Sequence, residues 1–173
     1  GSTYQIAVAG ARDASQNVAT GDVTLHLTEV PDNDYFANAL LFPPGVTTVY
    51  DDNSSATLEA GEPPHAGNPG GKSVWWTWTA PSAGTVKLST ANSSFDTLLA
   101  AYTGTAVNAL TAVAQNDNAN DAVTTSALEF TAAAGQRYQI AVDGKTAVSG
   151  TIALSLQFSS DFPVIKIQPT SQS

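Results

Sequence analysis

Polar and apolar residues alternate with a period of two over three stretches of the chain: Thr85-Val86-Lys87-Leu88-Ser89, Ala127-Leu128-Glu129-Phe130-Thr131 and Thr151-Ile152-Ala153-Leu154-Ser155-Leu156-Gln157-Phe158. Successive side chains of a strand point to opposite faces, so this period predicts strands with one wet and one buried face. Between them fall turn-forming runs: Pro43-Pro44-Gly45, Gly67-Asn68-Pro69-Gly70-Gly71, Pro81-Ser82-Ala83-Gly84 and Ala134-Gly135-Gln136. Glycine supplies positive φ and proline presets the turn, so each run ends a strand. Helix signals are confined to residues 36–41, about one turn, with Asp32, Asn33 and Asp34 placed to cap it. Short strands without intervening helices predict an all-β fold, an antiparallel β-sandwich of about eight strands.

The densest apolar stretch is Ser73-Val74-Trp75-Trp76-Thr77-Trp78-Thr79, which holds all 3 tryptophans. Alternation sends Val74, Trp76 and Trp78 to one face, where the two indoles anchor the core. Trp75 faces the other way, either packed under a loop, or in contact with a neighbouring domain, or as a platform for a ligand.

Part of the pattern occurs twice. Tyr4-Gln5-Ile6-Ala7-Val8, followed by Gly10, returns as Tyr138-Gln139-Ile140-Ala141-Val142, followed by Gly144. Gly21, Val23, Leu25 and Leu27 then match Gly150, Ile152, Leu154 and Leu156. The copies are about one domain apart, so residues 1–30 read as the C-terminal β-hairpin of a preceding repeat, with Gly1-Ser2 as an expression scar. Residues 31–160 then form one complete sandwich. Residues 161–173 read as a linker and the first strand of an immunoglobulin-like module. An isolated hairpin is marginal in water, so this one is expected to pack within the molecule, with exchange into a dimer as the alternative to a monomer.

Composition narrows the function. Hydrophobic residues make up 42% of the 173 and charged residues only 12%, enough for one real core. The formal charge of -9 opposes nucleic acid, because neutralising phosphates requires clustered Lys and Arg. It opposes anionic membrane surfaces for the same reason, and no apolar run approaches the roughly 20 residues of a membrane span. The chain has no Cys and no Met, so it carries no disulfide and offers no thiolate to a metal. Its wealth of Thr, Ser, Asn, Asp, Gly and Ala points to an exported protein, secreted or on the cell surface.

Several segments together carry a family resemblance. Gly61-Glu62-Pro63-Pro64-His65-Ala66-Gly67 leads into the tryptophan strand; Ser94-Phe95-Asp96-Thr97-Leu98-Leu99-Ala100-Ala101-Tyr102-Thr103-Gly104, Ala114-Gln115-Asn116-Asp117 and Tyr138-Gln139-Ile140-Ala141-Val142-Asp143-Gly144 follow in order. This resembles one repeat of the bacterial pre-peptidase C-terminal-like β-sandwich group over residues 31–160. The resemblance implies a jelly-roll-like sandwich, found in tandem in large secreted or surface proteins, often beside immunoglobulin-like modules and sometimes appended to proteases. Similar sandwiches in collagenases bind calcium and collagen; no collagen-contacting residue can be matched here.

Calcium takes 6–8 oxygens, so it requires Asp and Asn clustered on loops. The first candidate is Asp32, Asn33 and Asp34 at the domain entrance, where the resemblance implies a linker calcium, with Asp51, Asp52 and Asn53 approaching from a neighbouring loop. The second is the run containing Asn116, Asp117 and Asp121. It lacks the glycine and the bidentate glutamate of an EF-hand, and Asn and Asp also simply make turns. Gly67 to Ser73 has the wrong glycine spacing for a phosphate loop and precedes a strand, not a helix. His65 and Glu62 are expected to hydrogen-bond locally and fix the loop before the tryptophan strand. Asp96 is expected to fix its turn by accepting backbone N–H bonds.

These readings converge on a non-catalytic extracellular β-sandwich acting as a spacer or adhesion unit, possible calcium included, with neighbouring repeats and immunoglobulin-like domains of the same chain as partners. Two alternatives stand beside it: a module binding carbohydrate or a peptide or protein ligand through Trp75 and Tyr102, and an accessory domain of a secreted protease.

Overall fold

A computed structural model describes residues 29–161. The echoed segment at residues 1–28 and the immunoglobulin-like reading of the tail therefore lie outside the described residues. Among those described, nine strands are β1 (Leu40–Leu41), β2 (Thr48–Asp52), β3 (Val74–Thr79), β4 (Gly84–Ser89), β5 (Thr97–Thr103), β6 (Thr111–Asn116), β7 (Ala127–Ala132), β8 (Arg137–Gly144) and β9 (Thr151–Ser160). They form a five-stranded sheet of order β1-β3-β8-β5-β6 and a four-stranded sheet of order β2-β9-β4-β7. Every pairing is antiparallel except that of β1 with β3. The expected all-β sandwich is the observed architecture.

Binary pattern sets the register of the four-stranded sheet. Val86 stands opposite Phe130 on one side and Phe158 on the other, and Leu88 opposite Leu128 and Leu156. A slip of one residue would turn all of these to solvent, which fixes the pairing. The facing sheet contributes Val74, Trp76, Leu99, Tyr138, Ile140 and Val142 to the same core. Trp76 is 2% exposed, and Trp78 packs half-buried against the core edge, ring-on-ring with Tyr138 and Phe158.

Two local expectations are corrected. The short helix shrinks to a 3₁₀ turn over Phe36–Asn38, and β1 takes the residues that follow. Its cap is not Asp32, Asn33 or Asp34: Phe36 N–H donates to Glu59 Oε2 at 2.8 Å, and Asp34 turns to Thr57 instead. The second copy of the echoed pattern, β8 and β9, is not a hairpin. The two strands lie in opposite sheets, so the residues between them form a crossover.

The chain enters and leaves at opposite ends. At the entrance end Asn33 accepts a bond from Trp75 N–H at 3.0 Å. There Asn53, fully buried, donates to Lys72 O and accepts from Gly150 N–H. At the exit end Ser160 pairs with Gly84, and Asp161 N–H donates to Ala83 O at 3.1 Å.

Replacing Trp76 with Ala removes a large side chain from between the sheets, and the expected loss of stability is about 3–5 kcal/mol. Urea unfolding followed by circular dichroism checks this; a loss below about 1 kcal/mol would contradict the core assignment.

Candidate functional site

The central strands β3, β8 and β5 of the five-stranded sheet are buried on both faces. Trp75 points away from the main core into a second cluster with Ala100, Tyr102 and Ala141, covered by Phe36, Ala39, Val107 and Leu110. Trp75 is 0% and Tyr102 1% exposed. Their rings lie 6.1 Å apart, and the His65 ring sits between 5.6 and 5.8 Å from each. Trp75 and Tyr102 were expected as stacking surfaces for sugar or peptide; the structure packs them against each other in the interior, and neither ring presents a face to solvent. The indole is packed under a loop, because a sheet face this apolar is stable only when covered.

Under that cover a polar chain runs from one element to the next. Glu59 N–H donates to Glu62 Oε2 at 3.1 Å; Glu62 Oε1 lies 2.7 Å from His65 Nε2; His65 Nδ1 lies 2.7 Å from Tyr102 Oη. A carboxylate only accepts, so Nε2 carries the proton towards Glu62, and in the neutral ring Nδ1 then accepts from the phenol. The expected local Glu62–His65 bond is present, with side chains 0% and 1% exposed. Sequence reasoning missed its continuation to Tyr102, because Tyr102 lies on a strand far along the chain.

The glycine-rich loop before β3 does cradle an anion, but the anion is the protein's own. Gly71 N–H and Lys72 N–H donate to the carboxylate of Asp143, Lys72 at 2.7 Å, and Gly144 N–H adds a third donor. Two successive amides make such a concavity. Gly70, at φ +58, is required there: a Cβ would fall 1.5 Å from Asp143 Oδ2. Burial pushes the Asp143 carboxyl above its usual range, opposed by these three amides. Burial, with Glu62 and Asp143 nearby, also pushes the Tyr102 phenol up.

Glu62, His65 and Asp143 each offer a ligand atom, all within 4.8 Å of one another. Each atom set is already engaged. A cation would have to take Nε2 or Oε1 out of the Glu62–His65 bond and compete with three amides for Asp143. The cluster therefore acts as a tie, joining the residue 59–72 loop to β5 and β8 through saturated bonds in a low-dielectric interior.

The other sequence candidates fall into two separate groups. Asn33 and Asp51 do meet, Nδ2 to Oδ2 at 3.0 Å, while Asn33 Oδ1 is buried with no partner among the described residues. Asp34 gives both oxygens to Thr57. Asp52 accepts from Ser54, whose bonds hold that carboxyl below its usual range. In the second run Asn116 Oδ1 accepts from Ala127 N–H, Asp117 pairs with Lys145 Nζ at 2.6 Å, and Asp121 is exposed. These contacts fix turns. Asp96 departs from expectation: its main-chain oxygen accepts from Lys145 N–H, and its Oδ1 is buried without a partner among the described residues.

Replacing Tyr102 with Phe leaves His65 Nδ1 unmet in the interior, at an expected cost of about 1–3 kcal/mol, measured by denaturant unfolding. In the intact protein Tyr102 keeps its proton above the ordinary tyrosine range while the unfolded chain loses it. Stability should then fall as pH rises past about 10. Absorbance titration at alkaline pH should show the same number of tyrosines ionising before unfolding in the parent chain and in Tyr102→Phe, with one further tyrosine ionising in the parent only as it unfolds; simultaneous ionisation of all the tyrosines would contradict the burial.

No protein-family model matches the chain, and no curated protein matches it. Solved structures similar to it include the following two. One is the pre-peptidase C-terminal domain of collagenase from Bacillus anthracis, at 16% identity and TM-score 0.42, covering 64% of this chain and 88% of that one. The other is CorA, described as a surface-associated copper-binding protein of Methylomicrobium album BG8, at 11% identity and TM-score 0.45, covering 70% of this chain and 98% of that one.

Proposed function

We propose that this sandwich is a non-catalytic extracellular spacer or adhesion unit of a tandem array, stiffened by calcium at its entrance end. The observation that carries the reading is where the described residues begin and end on the sandwich: Asn33 is held beside Trp75 at one end, and Asp161 lies beside Ala83 at the other. The ten residues of β9 run between the two ends, and at about 3.3 Å each they span about 33 Å. Units joined head to tail then add length with each copy instead of folding back. The closed, hydrogen-bonded state of Glu62, His65, Tyr102 and Asp143 supports a structural role for this interior cluster of titratable groups.

Asn33, Asp51 and the exposed Asp32 are the residues that would hold the calcium. The unpartnered Asn33 Oδ1 beside the Asp51 carboxylate supplies the hard oxygens this ion takes. Asp34 and Asp52 stay with Thr57 and Ser54, and the Asn116 to Asp121 run stays a turn.

Thermal melting in calcium and in chelator tests the ion. Free calcium a hundredfold above Kd is expected to add about 2.7 kcal/mol, and Asp51→Asn to abolish the response; equal midpoints would remove calcium from the proposal. Small-angle scattering of two full chains joined head to tail tests the spacer. Growth of the long dimension by about 30 Å or more per copy supports it, and a side-by-side pair would overturn it.

A further inference from the structure

The interior tie meets its hydrogen-bonding needs but not its charge. The Glu62 side chain and Asp143 are each 0% exposed, and a neutral His65 ring balances neither carboxylate. The lysines and the arginine of the described residues are engaged elsewhere: Lys72 with Ser54 O, Lys87 with Glu129, Arg137 with Thr77 and Lys145 with Asp117. Two like charges in a low-dielectric interior repel each other, and burial disfavours both. A divalent cation cancels the two at once.

The geometry suits one. Glu62, His65 and Asp143 each bring a ligand atom within 4.8 Å of the other two. Around an ion with bonds of about 2.1 Å in tetrahedral array, ligand atoms stand about 3.4 Å apart, so the 2.7 Å Glu62–His65 contact opens slightly and Asp143 closes by at most about 1.4 Å. Each ligand is also oriented from behind, as metal ligands are. Glu62 Oε2 accepts from Glu59 N–H, His65 Nδ1 faces Tyr102 Oη, and the Gly71, Lys72 and Gly144 amides hold Asp143. Among the described residues Asp143 Oδ2 accepts from Gly71 alone, so the carboxylate keeps a lone pair to give. The bond given up is the one between Glu62 Oε1 and His65 Nε2. Its proton passes to Nδ1, which donates to Tyr102 Oη while the phenol hydrogen rotates away. The covering loop is exposed at Gly61, Pro64, Gly67 and Pro69 and carries only the isolated His65–Asn68 bridge, so local opening admits the ion.

We propose that Glu62, His65 and Asp143 are the ligands of a structural divalent transition cation of the zinc type, which locks the residue 59–72 loop onto β8 over Trp75. One imidazole with two carboxylates suits zinc; calcium takes oxygens alone, and more of them. The site shares no residue with the entrance calcium and does not depend on it.

Zinc binding to the full chain, first stripped with chelator, is measured by titration calorimetry and by the metal retained after gel filtration. One zinc per chain and a raised melting midpoint are expected, with a tenfold excess of calcium unable to compete. Glu62→Gln keeps an amide oxygen to accept from Nε2–H, so the tie persists without the charge; zinc affinity is expected to fall at least tenfold with unchanged far-ultraviolet dichroism. Asp51→Asn, which removes the calcium response, is expected to leave zinc binding as it was. Cobalt in place of zinc needs no variant: bound at His65, whose ring lies 5.6 Å from that of Trp75, it is expected to quench tryptophan emission in step with occupancy. No retained zinc in the parent chain would overturn the proposal, as would undiminished emission at saturating cobalt. Equal zinc affinity in Glu62→Gln, or its loss in Asp51→Asn, would place the ion elsewhere and overturn it too.

Discussion

The structure depends on one strand that is apolar on both sides. In β3 the neighbours Trp75 and Trp76 point to opposite faces, and both are sealed from water. Trp76 faces the partner sheet, as in any sandwich. Trp75 has no partner sheet, and its face is covered by non-strand pieces around Phe36, Ala39, Val107 and Leu110. Irregular chain over a sheet brings main-chain polar groups into the interior, and these must find partners. The chain of Glu59, Glu62, His65 and Tyr102, and the Asp143 carboxylate under Gly71 and Lys72, are where those partners are found.

This explains why the most reactive-looking residues of the chain are its least accessible. An imidazole between a carboxylate and a phenol, with a second carboxylate near, would read as chemistry if it opened on a cleft. Here Glu62, His65, Tyr102 and Asp143 bond to one another or to main-chain amides of the surrounding loops. Removing one member leaves the others buried and unmet, so the set is maintained as a unit. Its effect is mechanical: it binds the glycine-rich loop to β5 and β8 across the five-stranded sheet, and that loop leads into β3 beside Asn33 and Asn53 at the entrance end.

Much of the fold was legible in the chain because the period-two pattern is a local property. Val86, Leu88, Leu128, Phe130, Leu154 and Leu156 could be assigned to a buried face from alternation alone, as could Trp76. The Glu62–His65 bond was legible because the two lie three residues apart. Asn33 and Asp51 were paired correctly as neighbours by their oxygen chemistry. Asp143 was not legible: it sits at the end of a strand whose other residues match residues 4–8, and nothing nearby in sequence announces that Gly71 and Lys72 will meet it.

The sequence by itself determined the class of architecture, the alternating faces of its strands and the positions of its turns, since these follow from side-chain order and backbone preference. Tertiary structure alone decided that Trp75 and Tyr102 are interior, that the glycine-rich loop holds an internal carboxylate, and that the echoed strands β8 and β9 belong to different sheets. The reason is physical. Alternation says that a strand has two faces, but whether the second meets water or other chain depends on segments remote in sequence, and only their closure in space settles it.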